Sequence, residues 1–313
     1  MRRSLVRIQS DPPFMKKITI ATHGGFYHAD DLFAVATLKL ILEKDGKKVE
    51  IVRTRDLKLA LKCDYCVDVG REYNPVKNRY DHHQVDETLI RENSIPYAAF
   101  GLIWKHFGQH LVSSKEIQEI IEKKLVQPID AMDNAVTLST KNFENINEYN
   151  IASAIYAISQ YHGVSNLNES FYTSLELCKQ ILVGEINQAE DKHKSRQIVN
   201  EEIKKQNTPS ILILDKYHTW KEVVLEYPTI KFVLYPDINT SNWYLQPAKN
   251  TKDDFGGYRA NFPVSWLGKE HQELAEVSGI EEAVFCHKSG YLAVAKTKES
   301  GIKLAMAVLN LQS

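Results

Sequence analysis

Apolar and polar positions along this chain follow two regimes, and the change between them falls near residue 207. In the first, short β-branched runs alternate with longer stretches of helical spacing. Ile18-Thr19-Ile20-Ala21-Thr22 predicts a buried parallel strand that stops at His23-Gly24-Gly25. After a loop, Asp30 and Asp31 fall in the first turn of a helix, and Leu32, Val35, Ala36, Leu38 and Leu42 continue it at helical spacing to Gly46. Residues 49–53 predict a second strand, 56–62 a short helix, and 65–69 a third strand closed by Gly70. Such alternation builds a parallel sheet flanked by helices, with ligands at the carboxyl ends of its strands.

Residues 96–107 and 115–134 predict helices, with Pro128 breaking or kinking the second. Residues 146–161 predict another, and 168–205 form a long proline-free helical pattern with a break near Gly184. Gln206-Asn207-Thr208-Pro209-Ser210 reads as a linker. Beyond it, strands are expected at 211–214, 231–235, 243–246, 283–286 and 292–295, with helices at 269–277 and 301–311. The expected fold class is therefore α/β. A parallel, doubly wound N-terminal domain spans residues 15–206, and a smaller C-terminal α+β domain spans 207–313. Residues 1–14 carry arginines but no apolar core of a signal peptide, and read as a non-native or mis-called leader.

Composition narrows the function. A chain of 313 residues, 43% hydrophobic and 25% charged, is an ordinary globular protein. Its formal net charge of -1 supplies no global basic field, so an anionic substrate must be held by local charge or by metal. Cys63-Asp64-Tyr65-Cys66 leads into a strand without a second pair at zinc-finger spacing, so its thiols read as buried groups in a reducing cytoplasm. No apolar run approaches the roughly 20 residues of a membrane span.

The candidate chemistry lies where the predicted strands end. His23, His28 and Asp30 follow the first strand, Asp68 sits in the third, and Tyr80-Asp81-His82-His83-Gln84 comes next; Asp130 and Asp133 end a helix. Imidazoles and carboxylates without thiolates suit manganese, magnesium, iron or zinc. A carboxylate shared by two ions about 3.5–4 Å apart would make a phosphoester site. Each residue also has a plainer role. His23 suits a turn, His28 or either of Asp30 and Asp31 a helix cap, and Asp130 and Asp133 a solvated helix end. Asp68, flanked by valines in a central strand, is the costliest to bury without a counter-charge.

The ordered segments Thr22-His23-Gly24-Gly25-Phe26-Tyr27-His28-Ala29-Asp30-Asp31, Val67-Asp68-Val69-Gly70, Tyr80-Asp81-His82-His83-Gln84 and Ile129-Asp130-Ala131-Met132-Asp133-Asn134 carry a resemblance. They resemble the signature segments of the MYG (melanocyte proliferating gene) family, itself similar to a branch of the DHH-type phosphoesterase superfamily. The C-terminal part is similar too, in Tyr235-Pro236-Asp237, Arg259, Phe262-Pro263, Trp266, Ser278-Gly279-Ile280 and His287-Lys288-Ser289-Gly290. The resemblance implies a 3′ to 5′ RNA exonuclease using two divalent ions, manganese first and magnesium second. It implies that His23 and His28 bind one ion, with His28 where many relatives have aspartate. Asp30 binds the other, Asp68 bridges both, and His82 completes the second with Asp133, which precedes Asn134. Asp81 would orient a histidine, and His83 would touch the scissile phosphate. Arg259 and His287 are the candidates for contacting phosphate or a terminal nucleotide. This chain departs in having Asp31 where glutamate is frequent and Ala135 where glycine is common.

Other readings stay open. The same site would serve a short oligonucleotide, a cyclic dinucleotide or another small phosphoester, because no basic groove or aromatic stacking platform is evident. A non-catalytic metal- or RNA-binding protein is the reading from another class. A peptidase would need a general-base glutamate in His-Glu-x-x-His, and none is present. A homodimer is compatible with the chain.

Overall fold

The computed structural model describes residues 17–84, 89–140, 142–252 and 257–311. The expected leader, residues 1–14, lies outside the described residues. The first unit is built on a five-stranded sheet of order β2-β1-β3-β5-β4. Its strands are β1 (Lys17–Thr22), β2 (Lys48–Arg53), β3 (Tyr65–Val67), β4 (Tyr73–Asn74) and β5 (Arg79–Tyr80). β2, β1, β3 and β5 run parallel, and only β4 opposes its neighbour. The parallel α/β expectation therefore holds. The short β4–β5 hairpin was not foreseen, because two-residue strands leave no alternation to read.

Side chains leave the sheet in alternation. Ile20 and Val67 join the main core with α1 (Ala29–Lys44) and α3 (Ala99–Phe107). Ala21 and Cys66 face the other way, onto Ala60 of α2 (Leu57–Ala60) and Cys63. All four cysteines are free and buried, and burial pushes the Cys66 thiol up to about 11.

The helix expected at 115–134 is one rod in three parts. α4 (Lys115–Ile121) and α5 (Gln127–Asp133) are joined by a wider π-helical turn, Glu122–Val126. Pro128 cannot donate an amide and crowds the carbonyl four residues back, so the wider turn lets the rod pass it. α6 (Ile151–His162) starts later than expected, because the Asn150 side chain accepts from the Ser153 amide and caps it. α7 (Leu167–Lys205) runs through Gly184 as a single helix.

The chain divides into two compact units inside α7, at residues 190 and 191. The expected boundary at 206 and 207 lies too late, because Val199 and Ile203 near the end of α7 are buried with Leu212, Val223 and Val233. In the second unit, the sheet order is β6-β7-β8-β10-β9. The strands are β6 (Ile211–Ile213), β7 (Phe232–Pro236), β8 (Trp243–Pro247), β9 (Ala283–Cys286) and β10 (Ala293–Ala295). Only β6 and β7 are parallel, as a mixed α+β unit requires. Its helices are α8 (Lys221–Val224), α9 (His271–Ser278) and α10 (Lys298–Leu311). Gly301 lets α10 press onto β7, since a Cβ there would stand 2.5 Å from a Leu234 methyl. No helix among the described residues is long and apolar enough to cross a membrane.

Candidate metal centre

Because β1, β3 and β5 are parallel, the residues that follow them emerge at one edge of the sheet. His23 follows β1, Asp68 follows β3, and Asp81, His82 and His83 follow β5. The start of α1 brings His28 and Asp30 to the same edge, and the end of α5 brings Asp133.

Arginines at and just beyond the end of β2 hold the first loop. Arg53 donates to the Gly25 carbonyl, and Arg55 Nε donates to Gly24 O at 2.8 Å. Gly25 needs this freedom of backbone, with φ at +90°. Arg53 also donates to Leu167 O at 2.9 Å and lies 4.5 Å over the Phe171 ring, which fixes the loop to the start of α7. Asp31, foreseen only as a helix cap, accepts from the His28 amide at 2.9 Å and stands 3.5 Å from His23 Nε2.

Asp68 holds a left-handed backbone, φ 56°, which a side chain adopts only under constraint. That twist ends β3 one residue short of Asp68 and turns its carboxylate into the cluster. Asp68 Oδ2 lies 3.3 Å from His23 Nε2, and Oδ1 lies 3.3 Å from His82 Nε2. His82 Nε2 is also 3.2 Å from Asp133 Oδ2. Yet Asp68 Oδ1 and His82 Nε2 are buried and neither makes a hydrogen bond. Three overlapping groups could each hold an ion: His23, His28 and Asp68; Asp68, His82 and His83; and Asp30, His82 and Asp133.

The electrostatics call for a cation. Burial, then repulsion from Asp133 and Asp68, pushes the Asp30 carboxyl well above its usual range. Burial pushes Asp31 up to about 7 against the pull of His23. Burial would also raise Asp68, but the His23 and His82 imidazoles beside it prevail and hold it low. Burial opposes charge on His82, yet Asp133 and Asp68 push it up to about 11. Oxygen and imidazole donors, crowded and short of positive charge, fit divalent ions such as manganese or magnesium.

Asp81 lies behind this set. Its Oδ1 accepts from the His83 amide at 3.0 Å and sits 2.8 Å from His83 Nδ1, while Oδ2 accepts from the Arg71 amide at 2.7 Å. With Nδ1 so engaged, His83 turns Nε2 outward, and its side chain is 60% exposed. Asp30 also serves the fold, because its oxygens accept the Ala99 and Phe100 amides at 3.0 and 2.7 Å and so cap α3. Between Asp130 and Asp133 the structure separates two jobs. Asp130 is buried against Arg91 Nη2 at 2.6 Å and the Gly101 amide at 3.0 Å, leaving Asp133 beside His82. Ala135 takes φ 56°, which accounts for the glycine its resemblance would favour there.

In the second unit, the two expected substrate contacts differ. Arg259 donates Nη1 to the carbonyls of Val224, Tyr227 and Ile230 at 2.8–3.1 Å and ties down the segment between α8 and β7. Its guanidinium is thus occupied by backbone instead of being offered to phosphate. His287 Nδ1 accepts from the Ser289 amide at 3.1 Å, which leaves its hydrogen on Nε2 as a donor.

A model of the MYG1 exonuclease family, described as "Uncharacterised protein family (UPF0160)", matches residues 19–309. The chain belongs to the MYG1 family. A "MYG1 protein" of Dictyostelium discoideum is 32% identical, over 95% of this chain and 98% of that one. A "MYG1 exonuclease" of Rattus norvegicus is 29% identical, over 93% of this chain and 84% of that one. Among solved structures, RecJ in complex with Mn2+ from Thermus thermophilus is 14% identical, with a TM-score of 0.28, over 95% of this chain. The chain spans about half of that RecJ chain, 52%. The family likeness thus extends across both units, whereas the proposed ligands all lie in the first.

Arg53, Arg55 and the Arg91–Asp130 pair were not foreseen. A signal for the first two exists in the sequence, since arginines end the β-branched run at 49–53 and follow it. Arg91 left none, because its partners are 31 and 39 residues away.

Proposed function

We propose that this chain is a metal-dependent phosphodiesterase acting on nucleic acid, a 3′ to 5′ RNA exonuclease that uses two divalent ions, manganese foremost. One observation carries the reading. Asp68 Oδ1 and His82 Nε2 lie buried 3.3 Å apart without a hydrogen bond, while the other oxygen of Asp68 faces His23. Buried polar atoms are normally paired. Two such atoms facing one space, with Asp68 between two imidazoles, support a carboxylate shared by two ions. The relatives named MYG1 exonuclease support the activity.

His23, His28 and Asp68 would hold one ion, and Asp30, Asp68, His82 and Asp133 the other. Ions bound there would neutralise a phosphoryl group and make water acidic enough to attack at neutral pH. The chain's own residues do the rest. Asp31, Arg53 and Arg55 keep the His23–His28 loop in place. Asp81 holds His83 by Nδ1, so that Nε2 faces a phosphoryl oxygen or a departing sugar oxygen. Asp81 also pushes His83 up, which keeps a proton on the ring for that oxygen.

End-labelled RNA with manganese tests this reading. Asp68→Ala and His82→Ala should each lower turnover more than a hundredfold, beyond the roughly 10- to 100-fold typical of losing a supporting partner. Label at the 5′ end should yield a shortening ladder, and label at the 3′ end free nucleotide. Equal cleavage by wild type and both variants would remove the site assignment.

A further inference from the structure

The sheet of the second unit has two unlike faces. Leu234, Leu245, Ala293 and Cys286 form a row across β7, β8, β10 and β9. That row is buried in one core with Leu304 and Val308 of α10. The adjacent row, on the opposite face, reads Tyr235, Tyr244, Val294 and Phe285. At the β6 and β7 side this second face is covered by Val199 and Ile203 of α7 and Val223 and Val224 of α8. Toward β8, β10 and β9 it carries rings that are only partly covered.

Those rings fall in two groups. Tyr217 lies 5.3 Å from Tyr235, and Tyr235 lies 6.0 Å from Tyr244. On the other side Phe285 lies 6.0 Å from His287, and His287 lies 4.3 Å from Tyr291. Tyr217 and Tyr291 are 44% and 40% exposed. The edges of the rings are polar. Tyr235 donates to Gln246 Oε1 at 2.9 Å, and His287 keeps Nε2 as a donor. Cations lie at the rim: Lys249 Nζ is 5.8 Å over the Tyr258 ring, and Lys288 follows His287. The carboxylate near Tyr244, Asp237, accepts from the Thr240 hydroxyl at 2.7 Å.

We propose that this face of the second unit is a stacking platform for the bases of single-stranded nucleic acid, with Tyr217, Tyr244, His287 and Tyr291 as its rings. Bases are flat, with a π face for stacking and a polar rim. Rings with polar edges, bordered by lysines, match that chemistry and tolerate any sequence. An apolar protein partner would have no use for the rim of donors and acceptors. The inference rests on the nuclease reading for the identity of the substrate but concerns a separate part of the chain.

The test reads binding without turnover, using the full chain in chelator. The probes are fluorescent oligoadenylate and an abasic oligomer with the same ribose-phosphate backbone. Wild type should prefer oligoadenylate. Tyr291→Leu and Tyr217→Leu should each weaken oligoadenylate binding roughly 5- to 100-fold and leave the abasic oligomer unaffected, whereas Tyr291→Phe should bind as wild type does. Both tyrosines are exposed, and unchanged melting would confirm folding. Equal affinity of wild type for both probes would overturn the inference, and so would leucine serving as well as phenylalanine, the pattern of an apolar protein-docking face. Base-dependent binding without any phosphodiester turnover in manganese would sink the nuclease reading and leave this one standing. Turnover without base dependence would do the reverse.

Discussion

The two sheets treat polarity in opposite ways. At the edge of the first, the carboxylates Asp30, Asp31, Asp68, Asp81 and Asp130 are buried, and Asp68 is held in a left-handed backbone. Among the described residues of the second unit no carboxylate is buried, and the buried polar side chains are His218 and Ser300. Its sheet packs one face conventionally and leaves rings on the other. Buried charge is tolerable only where something opposes it. The first region answers this in two distinct ways: Asp130 is paired with a guanidinium, Arg91, while Asp30 and Asp68 stand with imidazoles in groups that could hold an ion. The difference separates a carboxylate paired within the fold from carboxylates in groups that could hold a metal ion.

The largest effect should come from breaking the pair that serves the fold. Arg91 donates Nη2 to Asp130 at 2.6 Å and Nε to Glu122 at 2.6 Å, and stacks 3.8 Å from the Tyr97 ring. Gly101 keeps room for this pair, since a Cβ there would lie 1.9 Å from Asp130 Oδ2. Arg91→Leu should cost about 3–5 kcal/mol, because it leaves Asp130 buried without a counter-charge. Urea unfolding measures this. Arg91→Leu combined with Asp130→Leu should lose less than the single changes sum to, and full additivity would show that the two side chains are not coupled.

The comparison also accounts for what could be read in advance. The strands and helices were legible wherever apolar residues repeat, as in 18–22 or along α1, and the ligand candidates were legible because parallel strands place their carboxyl ends together. The β4–β5 hairpin that delivers Asp81 was not, since Tyr73–Asn74 and Arg79–Tyr80 are too short to show a period. The aromatic platform was invisible for another reason. Tyr217, Tyr235, Tyr244 and Tyr291 come from four separate segments, and only the sheet register places the middle pair side by side. Arg259 reads as a phosphate contact in the sequence because a lone arginine does not reveal the backbone carbonyls that its Nη1 reaches.

A medium effect should come from Asp81, which belongs to neither group and engages His83. Asp81→Asn keeps the shape of the side chain and an acceptor for the Arg71 or His83 amide, but removes the charge that fixes His83. Turnover of RNA should fall about 10- to 100-fold, as for other partners behind a functional histidine, with manganese affinity unchanged. A kcat within twofold of wild type would show that His83 needs no orienting carboxylate.

The smallest effect is a dependence of metal-free stability on pH, in which Asp31 and Asp130, both pushed up to about 7 by burial, act in the same direction. Asp31 has a carboxyl near pKa 3.9 when unfolded, whereas in the fold burial pushes it up to about 7. Between those values the folded chain binds a proton that the unfolded chain releases, so metal-free stability rises as pH falls through the window and is lost above it. His82, pushed up to about 11, works in the same direction: its contribution is complete below about 6.5 and fades as pH rises toward 11. The metal-free chain should therefore be more stable at pH 5.5 than at pH 8, by about 1–2 kcal/mol. Manganese should stabilise more at pH 8, where a cation takes the place of those protons. Asp31→Asn should make the metal-free profile less steep. Denaturant melts at the two pH values check this, and lower stability at pH 5.5 would mean that the buried carboxylates of the first sheet are already satisfied by the protein itself.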